Sequence, residues 1–95
     1  MRLVYSDHLQ KRLRERKFPQ DFPRKVFYKP DQKFADIQSG RSISIKKLPY
    51  SGKIRHIMIS FEYNKPNKII RIITIHPETE EEIAKRLKKR RYVLR

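Results

Sequence analysis

His8, Arg12 and Arg16 recur at every fourth residue. On a helix that spacing lines them up on one face. Histidine is the side chain that titrates near neutrality, and arginine presents a planar fork suited to phosphate. A proton carrier in line with two phosphate-binding cations is the minimum for cleaving a phosphodiester without a metal. A second pair is Arg55 and His76. A hairpin turning through residues 64 to 67 pairs Tyr63 with Lys68, and that register sets Arg55 across from His76 and Thr74 across from Ile57. A one-residue change in that loop would separate the pair. A third group is basic: Lys85, Arg86, Lys88, Lys89, Arg90, Arg91 and Arg95 are seven cations in the last eleven residues. With Lys46 on a strand they read as a phosphate-tracking surface, beside which Tyr92 offers a ring for a base. The plain alternatives are a solvated basic stripe on the first helix, two unrelated strand ends, and a solubilising C-terminal face. His56 falls on the other strand face with no evident partner.

The composition favours a polyanionic partner. Lys and Arg number 25 against 10 Asp and Glu in 95 residues, for a formal net charge of +15. So many like charges on one small body cost stability, and phosphates relieve that cost by releasing their counterions. An anionic membrane surface or an acidic protein comes second. The chain is not compositionally disordered, since 37% of residues are apolar and only 2 are glycine. It has no cysteine, so a disulfide framework and a thiolate metal site are excluded. No apolar run reaches membrane length. Leu3-Val4-Tyr5 is too short for a signal peptide, so the expected location is cytoplasmic, with no membrane partner. No acidic pair flanks a histidine at metal-ligand spacing, which disfavours a metal-dependent nuclease. Without a glycine-rich phosphate loop, no cofactor is implied.

The elements that must position these groups can be traced along the chain. Arg2–Tyr5 fits a short strand. Ser6 reads as an N-cap, followed by a helix to about residue 17 through Leu9 and Leu13, which Pro19 stops. Phe22-Pro23 opens a second short helix. Period-two patterns follow at 33–38, 43–46 and 54–63, and 69–75 is apolar on both faces, as an interior strand is. Pro77 ends it, and Glu78, Glu80, Glu81 and Glu82 read as a helix start whose positive end they complement. The expected fold is a single α+β domain over residues 1–95. A small twisted antiparallel sheet of three to four strands, with a short N-terminal strand, is packed by two N-terminal helices and one basic C-terminal helix.

Certain short motifs are familiar. Asp7-His8 with Arg12-Leu13 and Arg16, Pro30-Asp31, Lys53-Ile54-Arg55, and Arg71-Ile72-Ile73-Thr74-Ile75-His76 resemble the RelE-like superfamily of small toxin ribonucleases, and more closely its BrnT-like and related small branches. The resemblance covers nearly the whole chain in order of elements; where the BrnT-like pattern tends to have arginine, this chain has His76. It implies a RelE-like fold, RNA as substrate, a small acidic antitoxin as neighbour, and the ribosome as a further partner. The corresponding expectation is a metal-independent endoribonuclease in which the ribose 2′-hydroxyl is the nucleophile. His8 or His76 would move the proton, Arg12, Arg16 and Arg55 would neutralise the phosphate, and Thr74 would position it. A non-enzymatic RNA- or DNA-binding module on the same basic surface is the alternative.

Overall fold

A computed structural model describes residues 2–95 and has the order β1 (Arg2–Tyr5), α1 (Asp7–Glu15), α2 (Phe22–Tyr28), β2 (Gln32–Asp36), β3 (Ser42–Tyr50), β4 (Lys53–Asn64), β5 (Ile69–Glu78), α3 (Glu80–Lys88), β6 (Tyr92–Leu94). The six strands form one sheet in the order β1-β5-β4-β3-β2-β6. β1 lies parallel to β5, and every other neighbour is antiparallel. The expected sheet of three to four antiparallel strands is thus corrected to a six-stranded mixed one. The short N-terminal strand forms where expected, but parallel to β5, which makes the sheet mixed. The unforeseen strand is β6, whose three residues are too few to show a period of their own and which pairs with the open edge of β2.

Helices cover both faces of the sheet. On one face Leu9 and Leu13 of α1 and Phe22 and Val26 of α2 pack on Leu48, Ile57, Ile59, Ile70, Ile72 and Ile75. On the other, Ile83 and Leu87 of α3 close over Phe34, Ile43, Ile45, Met58 and Tyr92. The alternation along β4 sorts these clusters: Ile57 and Ile59 face α1 and α2, and Met58 faces α3. α1 starts because Ser6 Oγ accepts from Leu9 N at 3.0 Å. α2 has only seven residues. One end of its sheet face is left uncovered beyond it.

Two turns and a bulge set the register. Ser51 and Gly52 both have positive φ, 54° and 83°, which suits the two-residue hairpin that pairs Tyr50 with Lys53. The β4–β5 turn occupies residues 65 to 68, one later than expected, so Asn64 pairs with Ile69. That moves the register by two and keeps the faces. Between Ser60 and Phe61 the partners then jump from Thr74 to Ile72, leaving Ile73 as a bulge. The extra residue exchanges the faces beyond it.

The C-terminal segment also differs from expectation. The helix ends at Lys88, Arg90 takes a left-handed φ of 58°, and the chain returns as β6 along β2. Glu78 belongs to β5 rather than to the helix start. The helix begins at the capping box of Thr79 and Glu82, whose side chains each accept the other's backbone N–H.

Candidate nucleic-acid interface

On α1, His8 and Arg12 meet as their spacing suggests. Arg12 Nε donates to His8 Nε2 at 3.4 Å on the exposed side of the helix. Arg16 caps the helix C-terminus, and its carbonyl accepts from Tyr50 Oη at 2.6 Å. Tyr50 is also the link to Arg55, whose Nε donates to the Tyr50 carbonyl at 3.0 Å. Arg16 and Arg55 are therefore tied through one tyrosine at the end of the sheet where α1 finishes.

His76 is not part of this group. It pairs with Met58 on the α3 face, whereas Arg55 pairs with Leu48 on the α1–α2 face. The expected Arg55–His76 pair is corrected by the shifted turn and the bulge together, which displace the register by an odd number of residues. Thr74, opposite Ser60, shares the α3 face with His76 and not the face of His8. One phosphate cannot contact both His8 and His76 across the sheet, so the two-histidine arrangement is dropped.

His76 instead borders a buried polar cluster. Glu78 is 3% exposed. It accepts from Arg86 Nη1 and, at 3.1 Å, from Tyr92 Oη. His76 Nε2 stands 3.7 Å from its carboxylate. Burial pushes the Glu78 carboxyl up, but His76, Arg86 and the Tyr92 hydroxyl together outweigh burial and hold it below the usual glutamate range. Burial, and then the Glu78 charge, push the Tyr92 phenol up. Tyr92 is 2% exposed and stacks on Phe34 with ring centroids 5.4 Å apart. It is a core residue, which corrects the expectation that it stacks on a base. Its partner Glu78 reads in the sequence as part of the acidic helix start, although Thr79-x-x-Glu82 is a capping-box signal that places the helix start after it.

The basic groups divide accordingly. Arg86 is held by Glu78 and Glu82, Arg91 by Asp36 at 3.3 Å, and Lys46 stands 3.9 Å from Asp31. Arg86 and Arg91, on buried carboxylates, are structural first, whereas the Lys46 contact is long and its Asp31 half exposed. Lys85, Lys88, Lys89 and Arg90 are exposed and have no carboxylate within 4.0 Å among the described residues. Across the described residues, Lys25, Arg41, Lys46, Arg86 and Arg91 are the only ion-paired members of the 25 lysines and arginines. His56, unpartnered in the sequence reading, lies 3.4 Å from Glu80.

The chain matches no family model, no curated protein and no solved structure. Among the described residues no three His, Asp or Glu side chains form a group that could hold a metal ion, and no helix is long and apolar enough to cross a membrane.

Proposed function

We propose that this protein binds RNA through its unpaired basic surface. The observation that carries the reading is the charge distribution. A net charge of +15 stands with most of its cations free of any carboxylate and spread over α1, α3 and the turns. Cations not used by the fold are available to phosphates, and each phosphate met releases counterions. Recognition of single strands fits the architecture better than entry into a duplex groove. α1 and α3 lie against the sheet by their apolar stripes, and each has only nine residues. Replacing Lys85, Lys88 and Lys89 with Gln tests the reading. The triple variant should keep its fold and bind RNA at least about tenfold more weakly at low salt. Unchanged affinity would remove α3 from the interface.

A second reading, the RelE-like metal-independent endoribonuclease, rests on the His8–Arg12 contact. With Arg12 turned from His8 onto the phosphate, His8 Nε2 is free to act as base. It takes the proton of the 2′-hydroxyl, which attacks the adjacent phosphorus. The bond to the 5′-oxygen breaks, water protonates that oxygen, and a cyclic phosphate remains. Arg12 and Arg16 would neutralise the added negative charge. Incubation with total RNA in EDTA decides between binding and cleavage. His8→Ala should slow any cleavage by about 10²–10⁴-fold, and His76→Ala should not. Intact RNA after incubation with the unmodified protein leaves binding alone.

A further inference from the structure

The uncovered end of the sheet face beside α2 is a groove of about 370 Å³, within the range of small-ligand sites, about 300–1,000 Å³. Its apolar lining is largely aromatic. Phe27, at the end of α2, meets Phe61 of β4 edge-to-face with centroids 5.2 Å apart. Tyr63, two residues along the same strand face, is 51% exposed. Burial of that ring is incomplete because α2 stops at Tyr28. The remaining rim is cationic and hydroxylic: Lys33 of β2, Arg95 after β6, and Ser42 of β3 line the same groove. No Asp or Glu lines it, and neither Lys33 nor Arg95 is in an ion pair among the described residues.

We propose that this groove is a stacking subsite for one unpaired base of single-stranded RNA, with Tyr63 as the platform and Lys33 and Arg95 on the flanking phosphates. The inference rests on the RNA-binding reading and adds to it a specific place and a specific chemistry. A half-exposed ring lining a groove offers a π-face to any base. Two cations with no Asp or Glu side chain lining the groove beside them favour an anion-bearing ligand over a neutral apolar one. A duplex keeps its bases stacked and could use only the cations. The groove therefore adds a discrimination between single strands and duplexes that phosphate contacts alone do not supply.

The test compares a short uridine oligomer with an RNA duplex of the same charge. Tyr63→Ala should weaken binding of the single strand by about 5- to 150-fold, the range for loss of one stacked base, and leave duplex affinity unchanged. Tyr63→Phe keeps the ring and should retain single-strand affinity. Because the chain has no tryptophan, Tyr63→Trp places a sole indole in the groove, whose emission should be quenched by the oligomer and not by the duplex. Lys33→Gln and Arg95→Gln should each lower the log–log salt slope by about 0.7, one phosphate contact on a single strand. If Tyr63→Ala binds the oligomer as the unmodified protein does, or loses duplex binding equally, the stacking subsite is overturned while RNA binding stands. If the unmodified protein binds neither RNA, both proposals fall together.

Discussion

Glu78 is the residue on which the α3 side of the molecule turns. Its carboxylate is the shared acceptor for Arg86 and Tyr92, with His76 at the edge. Removing one partner of a buried charge pair costs about 3–5 kcal/mol. Glu78→Ala belongs at the lower end, because a quarter of the Arg86 side chain remains in water. Denaturant unfolding should show that loss. The pH dependence follows from the depressed carboxyl. A group whose folded pKa lies below its unfolded one contributes stability in full above the ordinary value of 4.5 and loses it as pH falls toward the folded value. Asp36 is depressed as well: burial raises it, and the hydrogen bond from Arg91, aided by those from Ser39 and the Gln38 N–H, more than compensates. Unfolding midpoints should therefore drop on acidification below that range. Glu78→Gln should flatten the decline; a curve that keeps its full slope would show that Glu78 is not its source. Neither the depth of Glu78 nor the core position of Tyr92 was legible in the sequence, where an acid next to three others reads as helix-capping charge. Burial of a charge depends on which helix covers it, and that is a tertiary fact.

At the scale of elements, the sequence carried what period and punctuation encode. Ser6, Pro19, Pro23 and the alternation through β3 and β4 each stand where local chemistry requires them. The register of β5 did not follow from those signals. One unpaired residue, Ile73, exchanges the faces on which His76 and Arg55 stand, and nothing in Arg71-Ile72-Ile73-Thr74 marks which of the β-branched residues will be left out. The fold fixes it from α1. Ser6 Oγ donates to the Ile73 carbonyl at 2.9 Å while accepting from Leu9 N, and Ser6 N donates to the Ile72 carbonyl. One buried hydroxyl thus caps the helix and satisfies the bulge. Ser6→Ala removes both bonds and should cost about 1–3 kcal/mol, more than a cap alone at about 1 kcal/mol. Thr79→Ala, which loses only the capping box of α3, is the comparison and should cost about 1 kcal/mol. Equal losses in thermal or chemical unfolding would mean that Ser6 does no more than cap. β1 and β6 were legible to different degrees. Leu3 and Val4 fit a strand by type, whereas Tyr92-Val93-Leu94 is embedded in a basic run that reads as helix until Arg90 turns left-handed.

At the scale of the molecule, the sheet separates two chemistries. On the α1–α2 side lie His8, Arg12, Arg16 and Arg55 and the open aromatic groove; on the α3 side a carboxylate cluster holds Arg86 and Arg91 in place. Cations tied up by Glu78 and Asp36 contribute to folding, and those left free set the external field. The central claim is that this field is spent on RNA phosphates, and salt titration of single-stranded RNA binding tests it most directly. Engagement of at least three phosphates predicts that log Kobs falls with log salt concentration with a slope of about −2 or steeper between about 50 and 200 mM. A slope near zero, or no binding at the lowest salt, would contradict it.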